Sequence, residues 1–106
     1  MDSAQFHASL AQSAPPAGMP PLLEALWHDA KGEWARAHEL VQAERGAAAA
    51  RIHAYLHRKE GDAANADYWY GRAGTRRPDC DLAAEWQALV DHLLADDAGT
   101  KAPMST

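Results

Sequence analysis

The sequence predicts an all-α protein, and three observations carry that prediction. Of its 106 residues, 25 are alanine, the best intrinsic helix former. Only Val41, Ile52 and Val90 are β-branched apolar residues, the type that strands favour. Gly32, Gly46, Gly61 and Gly74 fall 14, 15 and 13 residues apart, a spacing of one helix plus a turn. Each is read as a helix stop, because glycine just past a helix end takes up the left-handed conformation without steric cost. The expected architecture is four to six short helices in antiparallel stacked helical hairpins, since short connections make consecutive helices neighbours.

The first helix is expected between about Asp2 and Ser13, capped by Asp2 or Ser3 and carrying Phe6 and Leu10 at i,i+4. The run APPAGMPP, residues 14–21, holds four of the six prolines and reads as an extended linker. With the first helix it makes an N-terminal segment over residues 1–19, ahead of a helical-hairpin domain over 20–95. A second helix over 20–31 places Leu22, Leu23, Leu26 and Ala30 on one stripe. A third, Glu33 to Arg45, does the same with Trp34, Ala37, Leu40 and Val41. The fourth, Ala47 to Glu60, offers Ile52, Tyr55 and Leu56 to a core. Asp62 caps a fifth with Ala63, Ala66, Trp69, Tyr70 and Ala73 along one side. After GTRRPDCD, Asp79 or Asp81 caps a last helix that turns Leu82, Trp86, Leu89, Val90 and Leu93 inward. Residues 96–106 have Met104 as their one large apolar residue and read as a flexible tail.

Charge and composition exclude several function classes. Fifteen acidic against ten basic residues give a net charge of -5, which argues against a nucleic-acid partner. Cys80 is the single cysteine, so neither an intramolecular disulfide nor a cysteine zinc site forms within one chain. The opening MDSAQFHASL has an acidic residue where a signal peptide carries positive charge, and no stretch approaches the roughly 18 apolar residues of a membrane span. A soluble, cytoplasmic protein with no membrane partner is expected. Nucleophilic catalysis finds little support: Cys80 lies between Asp79 and Asp81, which disfavour a thiolate, and the serines, at 3, 9, 13 and 105, lie in the chain ends. No glycine-rich phosphate loop is present.

The segments AKGEWARAHELVQ and KEGDAANADYWYGRAGTRRP align on Gly32 and Gly61, each with alanine five residues on. This resembles the tetratricopeptide helical hairpin, matched in the second segment at Gly61, Ala66, Tyr70, Ala73 and Pro78 and in the first at Gly32 and Ala37. The first helix of that unit departs from the pattern, with His53, Ala54 and His57 in place of the usual Leu, Gly and Tyr, and the 29-residue offset is shorter than the ~34-residue repeat. The chain is thus similar to a divergent tetratricopeptide-like protein over residues 20–78. IHAYLHRKEGD also resembles segments of small bacterial proteins, which implies no activity. The resemblance implies a module that binds a protein or peptide without catalysis, through a face bearing His53, His57, Arg58, Asn65 and Tyr68. Asn65 would bind a partner's backbone, as asparagines do in tetratricopeptide grooves. So short an array also leaves a homodimer open, because a mate can cover the end helix.

A second function class rests on histidine spacing. His53 and His57 are i,i+4 and share one helix face, the spacing that lets two imidazoles hold one metal ion. His38, on the flank of the preceding helix, is the third ligand of this alternative, and zinc is its first metal. Arg58, Glu60 and Tyr55 would complete a small-ligand pocket, with or without catalysis. The HExxH motif is absent, since Ala54 stands where its glutamate belongs. The competing bland reading has the histidines edging the core and Lys59 laying its stem along it. Trp34, Tyr70 and Trp86 are the expected core anchors. Trp27 and Tyr68 are left over: Trp27, with His28, is either covered by another helix or part of an exposed patch for a partner, and Tyr68 points outward.

Overall fold

The computed structural model describes residues 1–99, and the side chains of residues 1–96. Six helices follow one another: α1 Ser3–Ser9, α2 Pro21–Ala30, α3 Trp34–Gln42, α4 Ala47–Glu60, α5 Ala63–Arg72 and α6 Leu82–Gly99. There is no strand among the described residues, and no helix is long and apolar enough to cross a membrane. Residues 100–106, with Met104 of the expected tail, lie outside the described residues.

Local chemistry sets the helix ends. Asp2 accepts from the Gln5 backbone N–H at 2.8 Å while the Gln5 side chain accepts from Asp2 N–H at 2.8 Å, a reciprocal capping box. Asp62 caps α5 through the Asn65 N–H, and Asp81 rather than Asp79 caps α6 through the Ala84 N–H. Gly61 has φ 92 and ends α4 in the left-handed conformation, its N–H donating to Arg58 and His57. Gly46 corrects the expectation for it. The third helix stops at Gln42, and Gly46, with φ 100, is the N-cap of α4 instead of the stop of α3.

Helix α4 sits at the centre, in contact with α2, α3, α5 and α6. A helix surrounded in this way is buried on all sides rather than along one stripe. Ile52 through Leu56 are therefore buried without a break, and His57 with them. Helix α2 contacts α3, α4 and α6, so Trp27 is fully buried, its Nε1 donating to Ser9 Oγ at 3.2 Å. Ala30, expected on the inner stripe, is exposed. Phe6 brings α1 into the same core and meets the half-buried Trp86 at 5.8 Å between ring centres. Tyr70 packs with Ala54, Ala66 and Trp69 in a second, smaller cluster between α4 and α5.

Candidate metal centre and two buried carboxylates

Packing of α3 on α4 delivers His38 to the face that carries His53 and His57. The three rings converge: their centres are 4.7 Å apart for His38 and His53, 5.1 Å for His38 and His57, and 4.9 Å for His53 and His57. One ring nitrogen from each lies within 4.8 Å of the other two. His53 Nε2 and His38 Nε2 approach to 3.0 Å, so one donates its proton to the other's lone pair.

His57 is oriented by a carboxylate. Its Nδ1 lies 2.6 Å from Glu60 Oε2, one turn on along α4, and the nitrogen facing the carboxylate carries the proton. The Nε2 lone pair is left free to accept, with the Asn65 side-chain amide 3.4 Å away. A carboxylate on the outer nitrogen with the inner nitrogen free is the usual arrangement of a metal-ligating histidine.

Two indoles wall the cluster. Trp34 stacks on His38 at 4.8 Å with the rings 11° from parallel, and Trp69 stacks on His53 at 4.0 Å and 13°. Trp34 is held there by its Nε1 donating to the Leu56 carbonyl. Burial disfavours the charged imidazolium, so His53, 7% exposed, is pushed down to about 4, with His38 and His57 adding to the effect. His38 is lowered by burial and then by His57, while Glu60 acts in the opposite sense. Uncharged imidazole is the form that ligates a metal.

The donor set fits a small divalent ion. Tetrahedral zinc with nitrogens at about 2.0–2.1 Å needs them roughly 3.4 Å from each other. The 3.0 Å separation of His38 and His53 is close to this, and the third nitrogen lies within 4.8 Å of both.

Arg58 and Tyr55, which the small-ligand alternative grouped with these histidines, face elsewhere. Arg58 pairs with Glu85 of α6 at 2.7 Å and donates to the Cys80 carbonyl. Glu85 is buried and also accepts from the Tyr70 hydroxyl at 2.6 Å. Tyr55 donates to the buried Asp29 at 2.8 Å, and Lys59 reaches the other oxygen of Asp29 at 2.9 Å. The stem of Lys59 thus ends in an ion pair with the buried Asp29, while the side chain stays partly exposed. Burial and the carboxylates raise both phenols above their ordinary range. Tyr68 is 55% exposed, with the Arg72 guanidinium 5.8 Å from its ring centre and 5.5 Å from that of Trp69. Of the five residues expected on one binding face, His53, His57 and Asn65 come together, Tyr68 lies at the edge against Trp69, and Arg58 turns to Glu85.

Sequence reasoning passed over Asp29 and Glu85. Their positions held the signal, since Asp29 follows Leu26 by three on the apolar stripe of α2 and Glu85 lies between Leu82 and Leu89 at i+3 and i+7. A carboxylate on an inner stripe implies a buried cation or hydroxyl partner. Comparison with protein families, with curated proteins and with solved structures finds no match to this chain.

Proposed function

We propose that the protein binds one transition-metal ion, zinc in the first instance, through His38, His53 and His57. The observation that carries this reading is the convergence of three imidazole nitrogens within 4.8 Å, two of them contributed one helical turn apart. The Glu60 contact to His57 and the uncharged state favoured at His53 support it. Glu60 is engaged on the outer nitrogen of His57, where it orients that ligand. Calorimetric titration with zinc should give one site per chain, and His38→Ala and His57→Ala should each remove it while circular dichroism shows the helices intact. A flat isotherm for the unaltered protein overturns the reading.

A protein- or peptide-binding module is the second reading, favoured by the exposed Tyr68 and its Arg72 neighbour. In this reading α2 with α3 and α4 with α5 are two tetratricopeptide-like hairpins. Its support is that consecutive helices pack on one another and that Ala37 and Ala66 are fully buried. Tyr68→Ala should abolish capture of such a partner and leave zinc binding unchanged.

A further inference from the structure

Three nitrogens are one donor short of the four that tetrahedral zinc takes. Among the described residues, no residue groups with all three of His38, His53 and His57 as a fourth donor, although His57 also groups with the exposed carboxylates of Glu60 and Asp62. Cys80 is exposed, and its carbonyl is tied to Arg58 at the junction with α6. A divalent ion held by three neutral imidazoles keeps its full charge, and the nearest carboxylate, Glu60, touches only the outer nitrogen of His57. With His53 and His57 buried and His38 half-buried, such a charge attracts an anionic fourth ligand in exchange for water.

The Asn65 side chain is placed to receive that ligand. Its Nδ2 is 3.4 Å from His57 Nε2, a long contact to the ring nitrogen that Glu60 leaves free. Once the lone pair is committed to an ion, the amide N–H loses its acceptor beside the new charge. A half-buried donor in that position needs another acceptor, and an anion on the ion supplies one. A cleft of about 590 Å³ on the neighbouring surface shares His53 and Trp69 with the cluster and is lined elsewhere by Arg45, Arg72 and Glu44, a net positive lining in an acidic protein; His38, His57 and Asn65 are not part of it.

We infer that the ion bound by the three histidines takes a small anion as its fourth ligand, with the Asn65 amide donating a hydrogen bond to that anion. The inference rests on the metal reading above. The ligand class is a monovalent anion able both to coordinate and to accept a hydrogen bond, such as azide or a carboxylate. Binding is a ligand exchange in which water leaves as the anion enters, with no change of oxidation state.

Cobalt(II) in place of zinc makes the exchange visible, because its d–d absorption reports coordination. The full chain loaded with one equivalent of cobalt(II) should show tetrahedral bands that shift on addition of sodium azide. Asn65→Ala, once loaded with one equivalent of cobalt(II), should bind azide roughly tenfold more weakly, the loss of one hydrogen bond to a charged acceptor. Absence of cobalt bands and of a one-to-one isotherm would mean that the metal reading has failed. Cobalt bands that azide in large excess leaves unchanged overturn the anion inference alone. The same holds if cobalt drives the chain into a dimer, so that a second copy supplies the fourth donor, or if Asn65→Ala alters the bands before azide is added, which makes the amide itself that donor.

Discussion

The Nε2 atoms of His38 and His53 meet 3.0 Å apart across the seam between α3 and α4. Two imidazoles at this distance share a proton comfortably when neutral and repel when both are protonated. Burial holds His53 down to about 4 and His38 below its ordinary value. A histidine that titrates lower in the folded state binds fewer protons there than in the unfolded chain. Its contribution to stability is complete above about pH 6.5 and is lost as pH falls through about 4. Urea unfolding should therefore show a loss on the order of 2 kcal/mol across that window. His53→Gln should flatten the profile, and an identical slope in the variant counts against this origin.

The two indoles that wall the cluster make it readable by fluorescence. Trp34 and Trp69 stack on His38 and His53, whereas Trp27 and Trp86 contact other rings. Zinc should change the emission of the protein, and the change should shrink in Trp34→Phe and again in Trp34→Phe/Trp69→Phe. A response that survives the double substitution places the ion elsewhere.

Glu85 is the node that ties α4, α5 and α6 together through Arg58 and Tyr70. Tyr70→Phe removes one hydrogen bond to a buried carboxylate and should cost about 1.5–3 kcal/mol. Arg58→Ala leaves that carboxylate without its cation and should cost about 3 kcal/mol or more. The two losses share a partner, so the double variant should depart from their sum by more than about 0.5 kcal/mol, measured by denaturant unfolding. Strict additivity would show that the triad does not act as a unit.

Phe6 is fully buried although it belongs to a helix of seven residues near the chain end. Phe6→Ala should cost about 3–5 kcal/mol, the penalty for emptying a large core site. A cost under about 1 kcal/mol in thermal or urea unfolding would show that α1 is not part of the cooperative unit.

The helices were legible in the sequence because their signals are local. Alanine content, the Asp2, Asp62 and Asp81 caps and the glycine turn at Gly61 act within a few residues of where they stand. Burial was less legible, because it depends on how many neighbours a helix acquires. One-stripe reasoning assigns Ile52, Tyr55 and Leu56 to the core. It leaves His53 and His57 at the edge, while four surrounding helices bury all five. The i,i+4 spacing of His53 and His57 and the flanking place of His38 could be read directly. The Trp34 and Trp69 walls could not, since they depend on the angle at which α3 and α5 meet α4. Gly46 was misassigned because a glycine with positive φ serves equally before a helix and after one.

X-ray absorption at the zinc edge of the one-to-one complex tests the central claim most directly. Coordination by His38, His53 and His57 predicts a first shell of nitrogen and oxygen alone, at about 2.0–2.1 Å, with outer-shell scattering from three imidazoles. A sulfur neighbour at about 2.3 Å, or scattering from no more than one imidazole, would contradict it.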